Sequence, residues 1–402
     1  MSNDDPFSGN SSPDFSQTTG PTEDVHAAPQ GFLERLANSF GAIIMGLVLV
    51  PLACWGLFWN EGRAVKTARA LEEGQGLVQA IGTQRVDPAF NGKLVHVTGE
   101  VRSQAGVQDD LFGVTAKGLK LSRKVEMLQW VEKESGSGQD RKFTYSQEWS
   151  ERAIDSSRFR APQGHQNPPM RWQSARFSAR DARIDSFPLG NAIQSLGTTS
   201  DFLLQQAAVD QARRRTGAAL QMRDGQLFLA NNQNGTQIGS IRISYQWLPE
   251  GKASFIGRQA ADGIEPYKAR NGSEFLLAAH GTRTTDEMFE TAQQDNTVLT
   301  WILRGVGLLV MFIGFSSLFA PVTLLASYVP ILGSLVSGAV GLVAGAAMAL
   351  LGTTVIAVAW FAYRPLVSIA VLAIGIALAF GFRTLRQRRQ AAAAAARAGV
   401  PA

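Results

Sequence analysis

The four histidines are the first place to look for chemistry. His26, His96, His165 and His280 are scattered through the 402 residues, with no H-E-x-x-H pair, no G-x-S-x-G elbow and no phosphate-binding glycine loop around them. His96 alternates onto the polar side of a strand-like stretch, near Glu100 or Glu126, and reads as a surface histidine. His165 stands in GHQNPP, where His165, Asn167 and Pro168 form either a rigid structural turn or a binding loop. The single cysteine, Cys54, falls in an apolar run, so neither an intrachain disulfide nor a cysteine metal cluster can form. These residues imply no catalytic centre, no metal site and no cofactor, and the chain reads as a non-enzyme.

Charges at membrane boundaries are more informative. Between Val298 and Phe382 only Arg304 and Arg364 are charged, and a guanidinium in hydrocarbon needs a partner or a route to water. Arg304 lies about two turns inside its span, so it is expected to reach back to the outer boundary, where Arg364 should also emerge; both could instead bind lipid phosphates or acidic groups of the domain. Glu61 and Arg63 stand just after the first apolar run and are expected to pair with charges on the helix entering the second span, such as Asp295, docking the polar domain to the membrane bundle. Their alternative is a solvated helix start with Asn60 as its cap. Ser337, Gly341, Gly345, Ala349 and Thr353 recur at every fourth position, which lines one helix face with small side chains suited to close helix packing, within or between subunits.

Several elements must carry these residues. Residues 1–30 are rich in Ser, Asp, Pro and Gly and read as a disordered tail. Gly31 to Phe40 places Phe32, Leu33, Leu36 and Phe40 on one face, an interfacial lead-in. Gly41 to Trp59 is apolar and ends in Trp55 and Trp59, a first membrane helix. A domain of mixed α+β character follows over residues 60–296. It opens with a helix carrying Ala64, Val65, Ala68 and Leu71 on one face and ending near Gly74. Strands are expected where Val95, Val97 and Val101 alternate, where Phe143, Tyr145 and Trp149 alternate, and across SIRISYQWL from Ser240 to Leu248. VEMLQWVE, from Val125 to Glu132, is apolar on both faces, as a covered central strand would be. Ser200 or Asp201 is expected to cap a helix ending in Arg213, Arg214 and Arg215. Thr284 with Glu287 fits a capping box for a helix running into the membrane. Ser135 to Gln139 reads as a hairpin loop.

Residues 297–382 form the membrane tract. It divides into a span at Val298 to Phe319, a break at Pro321, a long stretch from Ile331 to Tyr363 and a last span from Leu366 to Phe382. The beginning of the long stretch, Ser327 to Ser337, could lie in the interface or re-enter. The expected fold is therefore a membrane protein with a four-helix transmembrane bundle and a mixed α+β extracytoplasmic domain. Arg383, Arg386, Arg388 and Arg389 follow the last span within a basic, Ala-rich tail at 383–402, which places both termini in the cytoplasm by the positive-inside rule. The net charge of +5 and the 45% hydrophobic content show no basic stripe interleaved with aromatics, so nucleic acid is not an expected partner.

WNEGRAVKTARALEEG, NGKLVHVTGEV, LKLSRKVEMLQWVE, YSQEW, GHQNP, TVLTWILRGVGLLVMFIGF and YRPL occur in this order and resemble the transmembrane protein 43 family, also called LUMA. The resemblance implies four spans, one large extracytoplasmic or lumenal domain, self-association, a role in organising membrane protein complexes, and no established catalysis. Family members in animals sit in the endoplasmic reticulum and inner nuclear membrane. The Ala-rich tail and cysteine-free domain here fit a bacterial member, in the inner membrane with a periplasmic domain. The expected function is a membrane scaffold that self-associates and organises membrane proteins or lipids. The alternative is an extracytoplasmic ligand sensor or an accessory component of a transporter or channel. Expected partners are membrane lipids, further copies of the chain and other membrane proteins.

Overall fold

The computed structural model describes residues 23–26, 32–135, 142–230, 237–261, 263–326, 330–366, 369 and 373. These fall into two compact units, one of sheets (mainly residues 74–268 and 274–288) and one of helices (mainly residues 31–73, 269–273 and 289–402). The domain boundaries expected at 60 and 296 fall inside continuous helices, because neither Asn60 nor Asn296 ends the hydrogen-bonded ladder.

The sheet unit is built on strands β1 (Glu23–His26), β2 (Leu94–Arg102), β3 (Gly118–Ser135), β4 (Lys142–Ser150), β5 (Gln226–Leu229), β6 (Ile241–Pro249) and β7 (Gly251–Ala260). One eight-stranded sheet runs β1-β4-β3-β6-β5 and then Gln221–Arg223, and β3 is the central strand expected from its two-sided apolar pattern. Its register sets Val125 opposite Ile243 and Leu128 opposite Trp149. A seven-stranded sheet centres on β2 and β7, with Val97 opposite Phe255. A single core unites inward residues of both sheets, among them Val97, Val101, Phe255, Leu121, Val125, Met127 and Ile243, all 3% exposed or less.

Two expectations in this unit need correcting. Glu23–His26, placed in a disordered tail, pairs antiparallel with β4, since a free sheet edge offers unpaired backbone groups to any extended segment. Ser200–Asp201 does not cap a helix but pairs with β6, and α2 (Gln206–Thr216) starts five residues later behind Gln205. The helix does end in Arg213, Arg214 and Arg215. The hairpin loop expected at Ser135 to Gln139 lies, beyond Ser135, outside the described residues.

The helical unit contains α1 (Phe32–Leu77), α3 (Thr285–Leu318), α4 (Ala320–Ala326) and α5 (Pro330–Tyr363). Helix α1 continues for more than four turns past Trp59, because nothing from Asn60 to Gln75 breaks a helix except Gly62 and Gly74, and a glycine weakens one by only about 1 kcal/mol. The Thr284–Glu287 capping box forms at both of its hydrogen bonds, 2.9 and 3.3 Å, and α3 runs unbroken from it into the apolar tract. Three helices, Ser39–Leu77, Thr285–Leu318 and Gly333–Tyr363, are long and apolar enough to cross a membrane. This is three spans among the described residues rather than four; nearly all of the fourth, Leu366 to Phe382, lies outside them. The Ile331 to Tyr363 stretch is one helix from Pro330 onward.

Candidate functional site

Each long helix of the helical unit carries one buried stripe at 3.6-residue spacing. On α1 it passes through Ala53, Leu57, Asn60, Glu61, Ala64 and Val65. On α3 it passes through Thr300, Arg304, Leu308 and Met311, and on α5 through Ala344, Met348, Leu351, Gly352, Val355 and Ala359. The middle of these stripes is apolar. Toward one end they turn polar, and there the residues do not point outward but meet one another.

Glu61, only 2% exposed, is the centre of that meeting. Arg304 grips its carboxylate with two bonds, Nε to Oε1 at 2.6 Å and Nη2 to Oε2 at 2.8 Å. Trp360 donates its indole N–H to Oε2 at 2.9 Å. The guanidinium also lies 4.7 Å from the Trp301 ring centre and 6.0 Å from that of Trp360, so its faces are shielded by aromatic rings while its edge is spent on the carboxylate. One charge pair thus ties α1, α3 and α5 together. A second polar layer lies beside it. Asn60 donates to the Thr300 carbonyl at 3.2 Å, and Arg63 donates to Asn296 Oδ1 at 2.9 Å and Thr300 Oγ1 at 3.0 Å.

Glu61 and Arg63 thus meet the helix expected of them, but not through Asp295: Arg304 takes Glu61, and Asn296 and Thr300 take Arg63. Asp295 is exposed on the other side of α3, and Asn296, Thr300 and Arg304, spaced by four, supply the facing row. Nor does Arg304 reach back to the boundary; a buried carboxylate one helix away satisfies it with less chain entropy lost. Arg364 is exposed at the end of α5, its N–H bonded to the Trp360 carbonyl at 2.7 Å. Asn296, Thr300 and Trp360 were missed by sequence reasoning, and Asn60 was considered only as a cap. The pairing of Arg304 with Glu61 did leave a signal: a lone intramembrane arginine requires a carboxylate at matching depth on another helix, and Glu61 is the first one beyond the α1 span.

The small-residue row packs only loosely inside the described bundle, with Gly341 and Gly345 half-buried. Ser337, Ala349 and Thr353 are exposed, a side chain at Gly341 would meet nothing within 4 Å, and one at Gly345 would just touch Phe312 at 4.0 Å. The close approach is made elsewhere. A Cβ on Gly46 would lie 2.6 Å from the Gly314 carbonyl oxygen, so α1 and α3 cross nearly backbone to backbone at these two glycines.

In the sheet unit the candidate loop is turned inward. His165, 4% exposed, stacks on Tyr145 with ring centres 3.9 Å apart, meets Trp130 edge-on at 4.7 Å, and places Nδ1 2.9 Å from the Ala161 carbonyl. Asn167 accepts from Trp130 N–H at 2.7 Å and donates to the Trp130 carbonyl at 3.0 Å, continuing the β3 pairing with a side chain. Pro168, half-buried, follows in the extended run. His96 is not on the surface. It is 7% exposed, with Nδ1 3.3 Å from Thr285 Oγ1 and Nε2 without a partner among the described residues, and burial holds its pKa below 6.5 although a backbone contact with Arg283 opposes the shift. The deepest charges here are Arg123 and Asp109, 2.6 Å apart, with the Tyr245 hydroxyl donating to Asp109 at 2.8 Å. Burial first, and then the Asp109 charge, push the Tyr245 hydroxyl far above its usual range. All three are sealed in the core and brace β3 against β6. Among the described residues no three metal-binding side chains gather.

The comparisons with known proteins agree with this architecture. The family model for transmembrane protein 43 matches residues 127–365. Transmembrane protein 43 of Mus musculus is 32% identical over 380 residues, 88% of this chain and 92% of its own length. That of Homo sapiens is 31% identical over 373 residues, 87% and 90% of the two chains, and the Drosophila melanogaster homologue is 26% identical over 364 residues, 85% and 94%. No solved structure matches. A family match over more than half of the chain, with relatives aligned through both the sheet unit and the membrane helices, shows that the chain belongs to the transmembrane protein 43 family.

Proposed function

We propose that this chain is a non-enzymatic membrane scaffold that self-associates through α5 and gathers membrane proteins and lipids around it. One observation carries the reading. Helix α5 spends Ala344, Met348, Leu351, Gly352, Val355 and Ala359 on its own bundle, while the row of Ser337, Gly341, Gly345, Ala349 and Thr353 winds out from beside that stripe, with Ser337, Ala349 and Thr353 exposed and Gly341 open to an added Cβ among the described residues. Helices associate in lipid where small side chains permit backbone contact, and this row has the required spacing. The proposal includes a fourth span at Leu366 to Phe382, cytoplasmic termini and a bacterial inner-membrane location with the sheet unit in the periplasm, on the strength of the arginines from Arg383 to Arg389.

Native mass measurement of the detergent-extracted protein tests it. The wild type is expected as an oligomer, and Gly341→Leu as smaller species with an unchanged melting temperature, since a Cβ added there meets no described atom within 4 Å. A wild type that is wholly monomeric at all protein concentrations overturns the reading.

A further inference from the structure

Just beyond the Glu61 clamp, α1 forms one wall of an open pocket of about 210 Å³, lined by Trp59, Gly62, Arg63, Lys66, Thr67, Ser273 and Tyr363. Five of these are one face of α1 at spacings of three and four. The sixth arrives because the turn at 269–273 is fastened to the helix: Asn271 donates to the Lys66 carbonyl at 2.7 Å, and the Arg270 N–H to the Glu73 carboxylate at 3.2 Å. Tyr363 closes the pocket by lying flat against Gly62, where a Cβ would sit 2.6 Å from the ring. Its carbonyl is held by Arg69 at 2.8 Å. The walls are therefore fixed by bonds independent of any ligand.

The chemistry of the lining is one-sided. Among the described residues Arg63 is bonded only to neutral acceptors, Asn60, Asn296 and Thr300, which use four donor contacts and leave one Nη1–H. Glu61, the nearest carboxylate in sequence, is already committed to Arg304. Lys66, Thr67, Ser273 and the Tyr363 hydroxyl make no side-chain hydrogen bond or ion pair with another described residue. Two cations and three hydroxyls thus converge on one space with no carboxylate in its lining, which is the donor set for a phosphate group.

Its place selects the source of that phosphate. The apolar run of α1 ends at Trp59, which stacks on Trp55 at 6.3 Å, and tryptophans at the end of a span mark headgroup depth. We propose that this pocket binds the headgroup phosphate of an anionic phospholipid. A zwitterionic lipid would bring a second positive charge to a site with no anion to receive it. The inference deepens the lipid part of the proposed function and does not require self-association.

The full-length chain is reconstituted in nanodiscs of equal phosphatidylglycerol and phosphatidylcholine, released, and its bound lipids counted by native mass spectrometry. The wild type is expected to retain phosphatidylglycerol in preference to phosphatidylcholine. Lys66→Gln should reduce that preference about fivefold, the value of one basic residue near a membrane surface, and Lys66→Arg should keep it. Lys66 is exposed, so the substitution leaves the bundle packed, and an unchanged melting temperature verifies this. No preference in the wild type, or the same preference in Lys66→Gln, overturns the proposal. So does stabilisation of delipidated wild type by inorganic phosphate alone equal to that by phosphatidylglycerol, which would make the pocket a free-anion site. The same spectra report subunit number. Monomers retaining phosphatidylglycerol sink the scaffold alone, and oligomers without it sink the lipid site alone.

Discussion

At the scale of the residue, the Glu61–Arg304 pair illustrates why a buried charge is weak evidence for stability yet strong evidence for specificity. Two opposite charges removed from water gain little net free energy, but either one left alone is costly. Glu61→Ala is expected to lower stability by about 3–5 kcal/mol in detergent unfolding, because Arg304 and the Trp360 indole are then stranded. Adding Arg304→Leu should recover much of the loss, whereas a further loss in the double variant would deny that the pair is coupled. His96 makes a pH-dependent prediction. Its folded pKa is depressed by burial, so below about 6.5 the unfolded chain binds a proton that the folded chain refuses. The sheet unit should therefore lose stability as pH falls from 7 toward 5, and His96→Gln should flatten that slope in melts followed by circular dichroism; equal slopes in both proteins would refute it. The burial of His96 escaped sequence reasoning for a simple cause. Alternation predicts which side of a strand a residue faces, but not that a second element, here the start of α3 with Thr285, covers the polar side. For the GHQNPP loop both a structural turn and a binding loop stood open, and only the contacts of His165 and Asn167 show how the loop spends its polar groups.

At the scale of the element, local rules succeeded where the signal was local. The Thr284–Glu287 box, the arginines ending α2 and the two-sided apolar pattern of β3 each depend on neighbours in sequence, and each formed. They failed where a partner distant in sequence competed, as when Ser200–Asp201 joined β6 instead of capping a helix. The membrane helices show the same division. Small residues on α5 were legible as a row, but which glycines bring backbones together depended on helix rotation about the axis. Gly46→Ala is expected to cost about 1–3 kcal/mol, since the added methyl meets the backbone oxygen of Gly314. Thermal denaturation should rank it well below Gly341→Leu; equal melting temperatures would mean that α1 and α3 do not approach so closely.

At the scale of the whole molecule, a span count is not a topology. With three helices an odd number of crossings would separate the termini, and with the proposed fourth they share a side. In a Cys54→Ser background, Gln221→Cys should react with a membrane-impermeant maleimide added outside intact spheroplasts, and Ala391→Cys only after lysis; labelling of both from outside would require an odd count. Composition, hydropathy and strand periodicity determined on their own that this chain is a membrane protein with a sheet-bearing domain, and the ordered motifs carried its family resemblance, because burial in lipid and pairing in sheets leave periodic traces in sequence. Only the tertiary structure decided that Glu61 belongs to Arg304 and not to the boundary, that Asn296 displaces Asp295, and that α1 builds a cationic pocket with Tyr363 and Ser273. Those contacts join residues some 200 to 300 positions apart, and helix rotation and depth, which no local pattern encodes, select among the partners that charge alone permits.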